Sequence, residues 1–269
     1  MELAKALDLS SYKDRKLRNR VNRIGLELEG IWTTIPKGTM PVRDGSLDPW
    51  VRRLQNEGRI QTGMLVGEVP SPPLTFSKED NLYWKTWIQK FYPQMVSPEC
   101  GLHIHMSFLT TFTYQRLMRP DYPATVLNRM SEWSAKEGLP KDHPLWPRLQ
   151  GQSRYCQHKF FADKQALAPG KDYDQNRDGH RYTVINYPFT RNRTIECRLL
   201  PMFEDVQQAM RALEEIIRVT NEFLVATAAR EPKIAAKADL DGVVVKEEKK
   251  DRLVLDAPEL YREVRNVRI

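Results

Sequence analysis

The stretch CGLHIHMSF at residues 100–108 alternates strictly between apolar and polar side chains. Successive side chains of a β-strand point to opposite faces, so the apolar residues share one face here while His103 and His105 share the other. The pattern therefore predicts a half-buried strand with an apolar face and an imidazole face. Two histidines in this arrangement are typical of metal ligands or proton carriers, although a short H-x-H motif also occurs on solvated sheet faces.

Two further stretches repeat the alternation with acidic residues. In IGLELEGI, Glu27 and Glu29 fall on one face, roughly 6.5–7 Å apart along the strand. In RTIECRLL, Glu196 and Arg198 fall on the polar face. The residues predicted on the opposite, apolar face of that strand are Ile195, Cys197 and Leu199. Three strands that each have one apolar and one polar face predict a single antiparallel sheet whose second face is a functional surface.

The segments between these motifs predict two more strands and two amphipathic helices. QTGMLVGEV at residues 61–69, with Glu68 near its end, and residues 181–187 are predicted strands. One helix is predicted to begin with Ser77 as its cap, and a longer one to span residues 204–229. The apolar stripe of the first helix consists of Trp84, Trp87, Ile88, Phe91 and Met95. The predicted fold class is α+β, an antiparallel sheet with helices packed on one face.

Patterning also divides the chain into three parts. Residues 1–22 are predicted to be a basic N-terminal arm, residues 23–230 a catalytic domain, and residues 231–269 a charged C-terminal extension. The long polar connection at residues 162–180 is predicted to be a flap over the polar sheet face, because loops of that length in compact domains are often functional.

Composition limits the classes of partner. The chain carries a formal net charge of +7 and has a pI of about 9.2, which favours an anionic partner. A solvated charged arm and a nucleic-acid-binding arm are both compatible with this charge, although the arm lacks the pattern of interleaved aromatic residues that would favour nucleic acid. The sequence has no apolar run long enough to predict a membrane span. Because it shows no signal-peptide pattern and no C-x-x-C among its three cysteines, we expect a cytoplasmic protein.

The polar faces of the predicted strands would together form an oxygen-rich set of metal ligands with one imidazole. Its members are Glu27, Glu29, Glu68, His103 and Glu196. Carboxylates favour Mg²⁺ or Mn²⁺, and four of them in one pocket would repel one another unless more than one cation were bound. The arginines available for phosphate oxygens are Arg181, Arg191, Arg193 and Arg198. Acids for metal and arginines for phosphate predict a nucleoside triphosphate site, although the chain lacks the P-loop motif.

The same motifs resemble those of a known family. IGLELEG, VRDGSLD, GEVPSPPL, CGLHIHMSF and TIECRLLP follow one another in an order similar to that of the amidoligases, which are related to glutamine synthetase among the carboxylate–amine ligases. The resemblance covers about residues 21–230. It implies a curved antiparallel sheet like the catalytic domain of glutamine synthetase. It also implies ATP at one mouth of the sheet, with Mg²⁺ or Mn²⁺ between ATP and the second substrate.

The resemblance further implies roles for single residues. The implied metal ligands are Glu27, Glu29, Glu68, His103 and Glu196. The implied phosphate-binding residues are Arg191, Arg193 and Arg198. Asp44 and Ser46 would line the cofactor pocket, and His105 would lie close to the nucleotide. The residues expected to act in catalysis are Glu27, His105 and Arg198.

The implied reaction is ATP-dependent amide formation between an amino-acid or peptide-like carboxylate and an amine, through an acyl phosphate. Such a reaction needs no protein nucleophile, in keeping with the absence of a Ser-His-Asp or Cys-His signature. Two alternatives remain open on sequence. One is a metal-dependent phosphotransferase of the same fold, and the other is a non-catalytic nucleic-acid-binding or scaffold module that retains a relic metal site.

Overall fold

A computed structural model describes residues 20–109, 111–159, 182–187 and 194–230. The strands are β1 Val21–Trp32, β2 Leu65–Pro70, β3 Gly101–Phe108, β4 Ile185–Asn186 and β5 Ile195–Pro201. The α-helices are α1 Asp48–Asn56, α2 Trp84–Phe91, α3 Thr111–Leu117, α4 Asp121–Lys136, α5 Leu145–Leu149 and α6 Val206–Arg230. All strand pairs are antiparallel and form one sheet. The prediction of an α+β fold with an antiparallel sheet is confirmed.

The sheet has the spatial order β2-β1-β3-β5-β4, so the three strands with alternating motifs occupy its centre. β1 pairs with β3 so that Leu26 lies opposite Ile104 and Leu28 opposite Leu102. These four side chains are essentially inaccessible to solvent. Because directly opposed residues share a sheet face, the apolar faces predicted from the sequence coincide in one buried layer.

A β-bulge interrupts the pairing of β3 with β5. Leu102 lies opposite Leu200, whereas Ile104 lies opposite Cys197, so β5 has one residue more than β3 between these two pairs. An extra residue in one strand reverses the side-chain alternation beyond it. Leu200 therefore joins Cys197 on the apolar face. Leu199, which was predicted to pack, is fully buried in the hydrophobic core.

The long helix α6 packs on the apolar face of the sheet. Before its first turn, the carboxylate of Asp205 accepts hydrogen bonds from two backbone N–H groups at 2.9 and 3.2 Å, which satisfies donors that a helix start leaves unpaired. Further along, the Thr220 hydroxyl lies 3.7 Å from the Met106 sulfur of β3. Asn221 Oδ1 accepts a hydrogen bond from the Val21 N–H at 2.9 Å. The long helix predicted near the end of the domain is confirmed.

The helix predicted to begin at Ser77 begins later, at Trp84. The N–H of Thr75 donates to the Leu82 carbonyl at 3.0 Å, and the N–H of Trp84 donates to the Thr75 carbonyl at 3.2 Å. These bonds close a loop ahead of the helix. The Ser77 hydroxyl accepts only a local bond from the Glu79 N–H at 3.3 Å. The predicted cap therefore forms a local turn, and the helix begins only after the loop that Thr75 and Trp84 close.

Helix α2 also ends earlier than its predicted apolar stripe. It stops at Phe91 because Pro93 disfavours helical geometry at Tyr92, whose backbone is extended. Met95, expected in the stripe, instead exchanges two backbone hydrogen bonds with Ile31 of β1 at 3.0 and 3.2 Å. Met95 therefore extends the sheet instead of the helix.

Two predicted strands are shorter than expected. The strand predicted over residues 61–69 begins only at Leu65, because a turn with Gly63 at φ 95° precedes it. The strand predicted over residues 181–187 is reduced to Ile185–Asn186.

The described elements up to Thr227 belong to one compact unit. The sheet begins at Val21, slightly before the predicted domain start. All but the last three residues of the predicted arm, the predicted flap at 162–180 and the extension at 231–269 lie outside the described residues. Within the described part of the chain, every helix is too short or too polar to cross a bilayer.

Candidate metal and phosphate site

Cross-strand register brings six of the predicted site residues to one face of the sheet. The opposed pairs are Glu29 with Glu68, Glu27 with His103, and His105 with Glu196. Opposed residues share a face, and these six alternate with the side chains of the buried apolar layer. The prediction that acids and imidazoles from separate strands share one surface is confirmed by this register.

Three of these residues form what we call the first triad. They are Glu27, His105 and Glu196, and each has a ligand-type atom within 4.8 Å of the other two. His105 Nε2 lies 2.8 Å from Glu27 Oε1, and its Nδ1 lies 3.2 Å from Thr194 Oγ1. Glu196 Oε2 accepts a hydrogen bond from Asn186 Nδ2 at 2.7 Å. The three central strands thus contribute one ligand-type side chain each.

Opposite charges hold the first triad in its ionised form. Burial raises the pKa of Glu27, but the charge of His105 and hydrogen bonds from both histidines hold that pKa well below its ordinary value. Burial likewise raises the pKa of Glu196, and Arg198 and His105 reverse the effect. Burial lowers the pKa of His105, but Glu27 raises it to about 9. His105 is therefore an imidazolium at neutral pH, and a cation bound to it would displace its proton.

The second triad consists of Glu29, Asp44 and Glu68, whose carboxylate oxygens also lie within 4.8 Å of one another. Glu29 and Glu68 are opposed in β1 and β2. Asp44 is held by Ser46, whose N–H and hydroxyl donate to its two carboxylate oxygens at 2.8 and 2.7 Å. Asp44 and Ser46 were predicted to line the pocket, and the structure places Asp44 among the ligand-type acids with Ser46 orienting it.

A strap of residues 41–44 brings Asp44 to this position. Val42 in the strap exchanges two hydrogen bonds with Glu68, its N–H donating at 2.7 Å and its carbonyl accepting at 2.8 Å. The strap thereby runs along the outer edge of β2. Gly67 permits this approach, because its φ is 152° and a Cβ there would overlap the Val42 carbonyl group. Only glycine combines that backbone angle with the space the strap occupies.

Like charges dominate the second triad. Burial and repulsion by four nearby carboxylates raise the pKa of Glu68 well above its ordinary value. Burial also raises the pKa of Glu29. The charge of His103 and the N–H of Gly101, which donates to Glu29 Oε2 at 2.6 Å, partly offset this increase. A divalent cation among these carboxylates would relieve their mutual repulsion.

His103 lies between the two triads. Its Nδ1 is 3.1 Å from Glu27 Oε2, its Nε2 is 3.8 Å from Glu29 Oε1, and its side chain is only 4 % exposed. Gly101 provides the space for this ring, because a Cβ at that position would overlap it. The predicted ligand His103 thus contacts an acid of each triad. His105, predicted to lie close to the nucleotide, is itself a member of the first triad.

Arg198 places a buried guanidinium beside the first triad. It is ion-paired with Glu196 through Nη1, and the carboxylates around it raise its pKa despite burial, which lowers it. Its Nε has no hydrogen-bond partner in the described part of the chain. A buried donor without a partner costs roughly 1–3 kcal/mol, and an oxygen of an anionic ligand would satisfy it. The other predicted phosphate-binding residues, Arg181, Arg191 and Arg193, lie outside the described residues.

Two polar residues at the site were not among the predicted site residues. Asn186 lies opposite Glu196 in the β4–β5 pairing, and Thr194 contacts His105. The available signal for Asn186 was a single amide within the otherwise apolar run VINY. This amide could be assigned to the site only from the strand register, which places Asn186 opposite Glu196.

Arg148 of α5 supports the site from behind and was also missed. Its side chain is buried and donates to four backbone carbonyls, those of Glu99, Cys100, Arg198 and Leu200, at 3.1–3.4 Å. Two of these carbonyls flank the bulge of β5, and the other two lead into β3. One guanidinium therefore ties together the two strands that carry the histidines and Glu196.

The donor set fits hard divalent cations. Carboxylate oxygens predominate in both triads, which suits Mg²⁺ and Mn²⁺ better than structural Zn²⁺. The two triads would offer two cations separate positions. A separate groove of 480 Å³, lined by Trp50, Arg59 and Phe203 among others, contains no residue of either triad.

Comparison of the chain with family models, with curated proteins and with solved structures found no match in any of the three.

Proposed function

We propose that this protein is an ATP-dependent carboxylate–amine ligase of the amidoligase type, with a glutamine synthetase-like arrangement of its sheet. The observation that carries the proposal is the pair of triads on one sheet face, with His103 between them. Two cation sites beside a buried guanidinium suit the stabilisation of charge during phosphoryl transfer. The order of the sequence motifs supports the same reaction class.

The proposal gives the residues distinct roles. One cation would be held by Glu27, His105 and Glu196, and the other by Glu29, Asp44 and Glu68. Bound Mg²⁺ or Mn²⁺ would neutralise and orient the triphosphate of ATP. Arg198 would donate its unpartnered Nε–H to a phosphate oxygen. His103 would position Glu27 of one cation site and Glu29 of the other, and Ser46 would orient the carboxylate of Asp44. The proposed phosphate contacts of Arg181, Arg191 and Arg193 complete the assignment.

The test is a screen of carboxylates and amines with the full chain, ATP and Mg²⁺ or Mn²⁺. We expect release of ADP and inorganic phosphate that requires both substrates, together with an amide product detected by mass spectrometry. Glu196→Gln should abolish this release, whereas Glu79→Gln, which removes an exposed acid outside the site, should leave it unchanged.

Two outcomes would contradict the ligase. ADP release with the phosphate retained on the product would indicate a phosphotransferase instead. No ADP release with any substrate pair, combined with salt-sensitive binding of DNA or RNA, would favour the nucleic-acid-binding alternative.

A further inference from the structure

Asn186 carries a buried amide oxygen beside the first triad that the proposed function does not yet use. Its Oδ1 has no hydrogen-bond partner in the described part of the chain, and the residue is 5 % exposed. Buried polar atoms without partners are rare in folded proteins, and each costs roughly 1–3 kcal/mol. The atom therefore points to a ligand that binds at this position.

The register of the sheet places this oxygen against the first triad. Asn186 lies opposite Glu196 across β4–β5, and Glu196 lies opposite His105 across β3–β5. The three residues therefore form one row on the same sheet face. Asn186 Nδ2 donates to Glu196 Oε2 at 2.7 Å. This bond fixes the orientation of the carboxamide and leaves Oδ1 as its free end.

The chemistry of the row favours a cation over a hydrogen-bond donor as the ligand of Oδ1. Mg²⁺ takes about six ligands and Ca²⁺ six to eight, with oxygen preferred, and amide carbonyls are among the usual ones. The first triad offers three ligand atoms. An amide oxygen would add a fourth without adding negative charge next to Glu27 and Glu196.

We propose that Asn186 Oδ1 is a direct ligand of the divalent cation at the first triad. The inference rests on the cation sites of the proposed function and is independent of ATP and of ligase chemistry. It separates the two cation sites, because the second triad has no member on β4 or β5.

The test is a titration of the full chain with Mn²⁺, without nucleotide, followed by electron paramagnetic resonance of the free ion. Wild-type protein should bind two Mn²⁺ ions. Asn186→Ala should weaken one site at least about tenfold, in line with the loss of a metal-site partner, and leave the other unchanged. Asn186→Asp, which keeps an oxygen at this position, should retain both sites. Glu68→Gln is the matched variant for the opposite site.

Loss of affinity alone would also follow if Asn186 merely positioned Glu196. Electron–nuclear double resonance on protein with ¹³C in the asparagine side-chain carbonyl separates the two roles. A bound carboxamide gives a ¹³C coupling to Mn²⁺ that Asn186→Ala lacks. The proposal is overturned if that coupling is absent, if the affinity is unchanged in Asn186→Ala, or if the wild type binds no Mn²⁺. A ¹³C coupling without ATP turnover would contradict the ligase proposal and leave the Asn186 assignment intact.

Discussion

At the scale of single residues, Glu68 carries the least compensated charge of the site. Burial and repulsion from neighbouring carboxylates raise its pKa well above the ordinary value. A raised pKa means that the folded state binds this proton more tightly than the unfolded state. The ionised carboxylate therefore destabilises the metal-free protein, and this penalty grows as the pH rises from the ordinary carboxyl pKa through the raised one.

Glu68→Gln should therefore stabilise the metal-free protein at neutral pH. The melting temperature should rise by roughly 2–4 °C for each kcal/mol of repulsion removed, and the gain should shrink as the pH falls towards the ordinary carboxyl pKa of about 4.3 and be absent below it. Thermal unfolding in EDTA across this pH range measures it, with Glu79→Gln as the exposed control. With Mn²⁺ present, the order should reverse, since the variant lacks a cation ligand. A lower melting temperature in EDTA at neutral pH would contradict the account.

At the scale of structural elements, the strap of residues 41–44 determines whether Asp44 reaches the second triad. Gly67→Ala should displace the strap, because the new Cβ would overlap the Val42 carbonyl. We expect a loss of stability of about 1–3 kcal/mol and weaker Mn²⁺ binding at the second triad only. Gly63→Ala is the matched control, because Gly63 also has a positive φ, of 95°, but has open space around its Cβ position. Equal Mn²⁺ affinity in both variants would show that the strap does not position Asp44.

The clamp formed by Arg148 gives a second prediction at this scale. Arg148→Met should destabilise the protein by about 3 kcal/mol, because four backbone carbonyls would each lose one hydrogen-bond donor. Arg148→Lys should recover part of the loss, since lysine keeps the charge but lacks the planar fork. Denaturant unfolding measures both variants. Arg154→Met, which removes an exposed arginine, should change stability by less than about 0.5 kcal/mol. Full recovery of stability in Arg148→Lys would argue against the fork geometry.

The alternation of apolar and polar residues predicted which strands exist better than it predicted the residues at which the elements begin and end. It identified β1, β3 and β5, since a period of two is a local property of the chain. It did not reveal that Ser77 lies within a closed loop, that a bulge places Leu200 opposite Leu102, or that Asn186 lies opposite Glu196. Each of these depends on a backbone contact that the alternation of apolar and polar residues does not specify. The same holds for the candidate site. Its acids could be identified from the sequence motifs, whereas their grouping into two triads required the strand register.

At the scale of the whole molecule, both triads exist only in the folded sheet, so cations that bind them should stabilise the fold. The gain is about 2.7 kcal/mol when the free cation is one hundred times its dissociation constant. The melting temperature should rise with Mn²⁺ or Mg²⁺ concentration and fall back to its metal-free value when EDTA is added. A double variant, Glu27→Gln with Glu29→Gln, removes one ligand from each triad and should lose the response. A response of equal size in this variant would place the bound cations elsewhere.

The order of the strands has a consequence for biosynthesis. Glu68 is the last residue of the second triad to be translated. The first triad is complete only once Glu196 on β5 has been translated. A nascent chain would therefore carry one complete acidic group long before the other. The helix α6 is translated after both groups and covers the other, apolar face of the sheet, where Asn221 accepts a hydrogen bond from the N–H of Val21 at the start of β1.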